Sequence, residues 1–217
     1  MLVLGSKPES QIPHFNPTAI YAANGAYARI PALLFEDPSI YKTLVFAPLS
    51  FEHHFNRAIS TKANRIVLRK IRPETETLIT HIPPTIATMQ STLSDQWHFQ
   101  LRQLGLCLYL AEAAYYPRRF DRIKRLAKLI IRRKPALGLS TGLFAALLAA
   151  YEHPEAPILL AGIGVQPGGH FYETDEKTHG NRACVDRFMM KRLPQHLKMR
   201  LQTTDPELSG ISGIPLV

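Results

Sequence analysis

The 217-residue chain carries 26 Lys or Arg against 17 Asp or Glu, a formal charge of +9, and is 46% hydrophobic. That is enough for one α/β domain with a sizeable core and a small lid. The charge fits an anionic substrate, an anionic membrane surface or nucleic acid, without choosing among them. Met1–Leu4, followed at once by Gly5, is too short for the apolar part of an export signal and has no basic stretch before it. The longest apolar stretch, Leu137 to Tyr151, is broken by Gly138, Ser140, Thr141 and Gly142 and falls short of the roughly 20 residues that span a bilayer. Cys107 and Cys184 are far apart and read as small buried hydrophobes in a reducing compartment. The expected location is cytoplasmic.

In chain order, Met1–Leu4 predicts a buried strand that ends in the polar loop Gly5-Ser6-Lys7-Pro8. Thr18–Ala23 predicts a second strand ending at Asn24-Gly25. Thr43–Ala47 predicts a third, stopped by Pro48, and Ala63–Leu68 a fourth. Residues 74–94, with Pro83-Pro84 and many threonines, read as a long loop with one short helix. Leu101, Leu104, Leu108, Ala111 and Tyr115 recur at helical spacing, which predicts one helix over 99–115. Residues 117–134 predict a strongly basic helix with the stripe Phe120, Ile123, Leu126, Ala127, Ile130 and Ile131. That helix suits peripheral docking on an anionic membrane or acceptor, or is a solvated face. Leu143–Tyr151 predicts an apolar helix, Pro157–Gly164 a buried strand ending in a glycine turn, and Val185–Leu201 a last amphipathic helix. The alternation gives an α/β fold: a Rossmann-like, mainly parallel sheet with helices on both faces and a small helical or loop lid. Residues 1–217 form one domain, with the lid-like insertion at about 70–134.

Four short segments are placed for chemistry. Gly5-Ser6-Lys7-Pro8 follows a strand, where open α/β sheets bind ligands, but it is neither a dinucleotide fingerprint nor a P-loop. Asn24 offers a donor and an acceptor at a strand end, although Asn-Gly is also an ordinary turn. Ser140-Thr141-Gly142 opens a helix, where a phosphate or carboxylate is favoured and where Ser or Thr is also a common cap. His170, Tyr172 and His179 lie in a glycine-rich segment and supply a general base and a phosphate hydrogen-bond donor, or are solvated loop residues. His170 and His179 lack the spacing of a zinc pair, and no Asp-x-Asp stands ready to hold a divalent metal.

Taken in order, these segments resemble the small bacterial sialyltransferases, glycosyltransferase family 42, and in short motifs the animal sialyltransferases. Leu4-Gly5-Ser6-Lys7-Pro8 looks like the family's opening strand and Gly-Asn-Gly-Pro loop. Asn24 falls where the family has its second nucleotide-contacting Asn. Ser140-Thr141-Gly142, with the apolar helix and the strand ending Leu160-Ala161-Gly162-Ile163, resembles the small sialylmotif. His170-Phe171-Tyr172-Glu173 looks like the animal enzymes' third motif, and His179 sits near the family's catalytic His.

The resemblance implies metal-independent transfer of sialic acid or a related acidic sugar from a CMP-sugar donor to a glycan hydroxyl, with inversion. His179 or His170 would be the base, and Tyr172 would hydrogen-bond the leaving phosphate. Gly5, Ser6, Asn24, Ser140, Thr141 and Gly142 would hold the donor. No cofactor is implied beyond the donor, and no metal. The setting would be bacterial lipooligosaccharide or capsule biosynthesis, in the cytoplasm or peripheral to the inner membrane, by a protein that can be an oligomer. The match covers the first quarter and residues from about 135 onward. Ser6 replaces an Asn and Lys7 a Gly, Gly138 stands where an Arg would bind the donor, and Gly164 and Gln166 replace an Asp and a Tyr. Two other readings fit the residues: a magnesium-dependent, pyrophosphokinase-like transferase, and a basic nucleic-acid or membrane-surface binder. No DNA- or RNA-binding motif supports a nucleic-acid partner.

Overall fold

The computed structural model describes residues 1–7, 11–12, 16–69, 72–114, 119–132, 138–165 and 180–217. It begins with β1 (Leu2–Leu4) and β2 (Ala19–Ala23), then a 3-10 segment Asn24–Arg29 and α1 (Ala32–Glu36). β3 (Tyr41–Phe46) leads through Pro48, at the first helical position, into α2 (Pro48–Ile59), and β4 (Arg65–Leu68) follows. Next come α3 (Pro73–Ile79), β5 (Ala87–Gln90), α4 (Leu93–Leu104), α5 (Cys107–Ala114) and α6 (Arg119–Arg132). The last part holds α7 (Thr141–Glu152), β6 (Ile158–Ala161), α8 (Gly180–Lys191), α9 (Gln195–Lys198), β7 (Leu201–Thr203) and α10 (Pro206–Ser212).

The seven strands form one sheet in the order β5-β4-β3-β2-β1-β6-β7, and every pairing is parallel. Parallel strands need crossovers, and the crossover helices bury both faces of the sheet. Alternate strand residues therefore feed two cores. Val3, Tyr21, Val45, Val67 and Leu160 pack with α4, α5, α7 and α8. Leu2, Leu4, Ile20, Leu44, Phe46, Ile66 and Leu68 pack with Phe51, Phe55 and Ala58 of α2. Each fully buried Leu, Ile or Phe contributes about 1.5–3 kcal/mol, so continuous apolar runs are what hold these central strands inside. This is a Rossmann-like α/β fold.

Helix α7 is apolar on every side, with Leu143 to Ala150 all buried, because it is sandwiched between the sheet and α4. Its direction is fixed by its ends. Thr141 meets Arg69, just past the C-terminal end of β4, and Glu152 meets Arg65, at the start of that strand. The N-terminus of α7 therefore stands at the C-terminal edge of the sheet.

Several expected boundaries change. The loop with one short helix expected over 74–94 holds a short helix, α3, and in addition the edge strand β5, whose four residues are all exposed and so lack an apolar run. The helix expected over 99–115 is two, because Gly105 (φ 64) closes α4. The single helix expected over 185–201 is α8, α9 and part of β7, with Pro194 opening α9. The lid expected over 70–134 is largely domain: β5 extends the sheet, and Trp97, Leu104, Leu108 and Ala111 lie in the core. Cys107 is half-buried and Cys184 exposed, so the second is not the buried hydrophobe expected. Among the described residues no helix is long and apolar enough to cross a membrane.

Candidate functional site

The strand order reverses between β1 and β6: the chain grows outward from β1 to β5, then returns to lay β6 on the other side of β1. In open parallel sheets this switch point opens a crevice at the C-terminal ends of the two strands. Here the two loops above it are laced together. Gly5 N–H donates to Ala161 O at 2.8 Å and Lys7 N–H to Gly162 O at 2.9 Å. A Cβ on Gly5 would stand 2.7 Å from the Gly162 carbonyl carbon and 2.9 Å from Ile163 Cγ1. Gly162 turns the chain with φ 69, a conformation that glycine alone adopts without strain.

Gly142 joins the same place from the N-terminus of α7, since a Cβ there would stand 3.5 Å from Ile163 Cγ1. Gly5 and Gly142, far apart in sequence, thus meet across one side chain. Ser6 is buried beside them. Lys7 lies along Gly164 and pairs with buried Asp205 at 2.5 Å, which ties the β1 loop to the cap of α10, and Arg29 Nη1 donates to Lys7 O at 2.9 Å. Asn24 takes φ 51 at the end of β2, and its Oδ1 accepts from Ala47 N–H at 3.0 Å, fixing the ends of β2 and β3. Its Nδ2 is outside that bond.

The N-terminus of α7 is held by a shell of buried polar side chains. Ser140 caps the helix, its Oγ accepting from Leu143 N–H at 3.3 Å. Ser140 N–H donates to Asp186 Oδ1 of α8 at 3.0 Å, Leu139 N–H to Gln100 Oε1 at 3.0 Å, and Gly138 N–H to Glu112. Arg69 reaches Leu139 O at 2.8 Å, Thr141 Oγ1 at 3.2 Å and Gln96 Oε1 at 3.2 Å, with its guanidinium over the Phe144 ring. Asp186, Glu112 and Arg69 are at most 5% exposed. Charges so deep need such partners, and together they make this turn rigid. The hydroxyls of Ser140 and Thr141 are thus engaged in holding the turn, Ser140 as the helix cap and Thr141 as an acceptor from Arg69.

Of the expected site residues, Gly5, Ser6, Ser140, Thr141 and Gly142 come together at the switch point, and Asn24 stands at the same edge one strand away. His170, Tyr172 and His179 lie outside the described residues, between Val165 and Gly180. Arg69, Glu112, Gln100 and Asp186 escaped the sequence reading. Arg69 had one signal, a cation directly after a buried strand, and Glu112 another, a lone carboxylate in the apolar run Leu108–Ala114.

An apolar cavity lined by Leu143, Leu147, Leu160, Met189, Met190 and Leu197 lies between α7, β6, α8 and α9. It has no polar group to orient a ligand and is a gap in the core that backs onto Leu139 and Leu143 at the start of α7. No group of three or more His, Cys, Asp or Glu among the described residues is arranged to hold a metal ion. No family model, curated protein or solved structure matches the chain.

Proposed function

We propose that the chain is a glycosyltransferase that moves sialic acid or a related acidic sugar from a CMP-sugar to a glycan hydroxyl, with inversion and without a metal. The observation that carries this reading is the meeting of Gly5 and Gly142 on Ile163. It gathers the two segments that resemble the family's donor-binding motifs at the one sheet edge where α/β domains bind ligands. A further relation supports it. Gly138 stands where the resemblance asks for an Arg, and the Arg69 Nη2 lies 4.0 Å from where a Gly138 Cβ would be. That guanidinium, from the residue after β4, stands behind Gln100, whose amide lies 3.5–3.6 Å from the same point, and it shares the shell with the carboxyls of Glu112 and Asp186.

In this reaction the donor's phosphate is a good leaving group, so orientation and charge stabilisation supply most of the rate. Gly5 and Gly142 let the β1 loop and the start of α7 close on Ile163, which sets the edge that takes the nucleotide. Tyr172 donates a hydrogen bond to the departing phosphate, and His179 or His170 takes the proton of the attacking hydroxyl as the sugar gains oxocarbenium character.

Thermal unfolding with CMP, CDP, UDP, ATP and CMP-sialic acid, each with EDTA or magnesium, tests the proposal. A shift with CMP and CMP-sialic acid that persists in EDTA is expected. A shift with ATP that needs magnesium would favour a pyrophosphokinase-like transferase, and no shift with any cytidine nucleotide would refute the proposal. His179→Ala and His170→Ala, assayed separately for transfer, identify the base.

A further inference from the structure

Helix α6 breaks the pattern of its neighbours. α2, α4 and α7 each expose one large apolar side chain, Leu49, Leu93 and Tyr151, yet on α6, which packs against α5, four remain in solvent. Ile131 is 79% exposed, Phe120 76%, Ile123 61% and Ile130 59%. At 3.6 residues per turn these four and Ala127 occupy one arc of the helix, and Lys124 and Lys128, exposed and one turn apart, border it. The α6 sequence sets Arg119, Arg122, Lys124, Arg125, Lys128 and Arg132 against the single acid Asp121. Leu106 and Leu110, exposed one turn apart beside the start of α5 and on it, add apolar surface on the helix that α6 packs against.

We propose that α6 is an in-plane anchor for an anionic lipid bilayer, lying along the interface with Phe120, Ile123, Ile130 and Ile131 in the acyl boundary and its cations at the headgroup phosphates. At 1.5 Å per residue the helix is about 21 Å long, and with its charges it lies on a bilayer and does not span one. The combination selects this partner. A nucleic-acid duplex draws on the cations and gains nothing from the three exposed isoleucines. A protein groove takes the apolar arc but gives no role to the lysines along its border, whereas anionic headgroups and acyl chains use both. The inference is independent of the transfer reaction proposed above.

Flotation of the full chain with vesicles of phosphatidylcholine alone, or mixed with phosphatidylglycerol, tests it. Binding to the anionic vesicles is expected, weaker in high salt and on neutral vesicles. Phe120→Ser with Ile131→Ser should weaken it about tenfold or more through lost apolar insertion, and Lys124→Glu with Lys128→Glu should do so through charge. Because all four side chains are exposed, the unfolding midpoint should not move. A Phe120→Trp variant should shift its emission to shorter wavelength with anionic vesicles, against a constant background from Trp97, which is 1% exposed. Absence of vesicle binding overturns the proposal. So does vesicle binding that the apolar substitutions leave unchanged, or binding to duplex DNA or RNA in place of vesicles.

Discussion

Gly5 and Gly162 leave no room for a methyl group between them: a Cβ on Gly5 would overlap the Gly162 carbonyl, at 2.7 Å from its carbon. The β1 and β6 loops close on each other because Gly5 carries no side chain there. Gly5→Ala should therefore destabilise the protein by about 3 kcal/mol or more, since the neighbour that must yield is backbone. Gly162→Ala meets a different obstacle, its φ of 69, and should cost about 1–2 kcal/mol. Gly210→Ala, in α10 with nothing within 4 Å, should instead gain about 0.5–1 kcal/mol. Urea unfolding of the three variants gives the comparison, and equal effects would contradict the contact argument.

The Asp186–Ser140 bond ties α8 to the first turn of α7. Asp186→Ala should cost about 1–3 kcal/mol, because it leaves a half-buried amide without its acceptor, while Asp186→Asn keeps an oxygen there and should cost less. Ser140→Ala removes the cap and should cost about 1 kcal/mol. Under the proposed function both changes should also reduce the CMP-induced thermal shift, since they loosen the turn that carries Gly142.

Arg69 supplies three hydrogen bonds in one plane and stacks on Phe144. A lysine keeps the charge but not the fork. Arg69→Lys should therefore still lower stability, by about 1–3 kcal/mol, and under the proposed function should weaken CMP binding further than Ser140→Ala does. Calorimetric titration with CMP measures the difference.

At the opposite end of α7, Glu152 accepts from Arg65 at 2.6 and 2.8 Å and from Tyr21 Oη at 2.5 Å. Burial pushes the Glu152 carboxyl up, but the bonds from Arg65 and Tyr21 and the Arg65 charge outweigh it and hold it below its ordinary value. Burial, then the bond to Glu152, pushes the Tyr21 phenol up. A carboxyl lowered on folding contributes its full stability above about pH 4.5 and loses it as pH falls through the lower, folded value. Glu152→Gln should be less stable than wild type at neutral pH, and the two should converge below that range. Unfolding midpoints across the acid limb check this, and parallel curves would count against it.

Strands β1 to β4 and β6 were legible because strands buried on both faces carry apolar runs, as Ile66-Val67-Leu68 and Ile158-Leu159-Leu160 do, although β3 also buries Lys42 and Thr43. β5 was not, because at an edge Thr88 and Gln90 cost nothing. Gly5, Ser6 and Ser140-Thr141-Gly142 were legible as candidates because turns after strands and caps before helices have local residue preferences. Arg69, Glu112 and Asp186 were not, because a charge in a sequence does not say whether it will be buried or by what.

By itself the sequence determined the parallel α/β class, the apolar character of α7 and the amphipathic pattern of α6. Those follow from periodicity and composition, which act over a few neighbouring residues. The tertiary structure alone decided that Gly5 and Gly142 share Ile163, that Arg69 stands beside Gly138, and that the apolar arc of α6 remains in solvent. Each of these depends on which strand lies beside which, and strand order is set by packing across the whole chain.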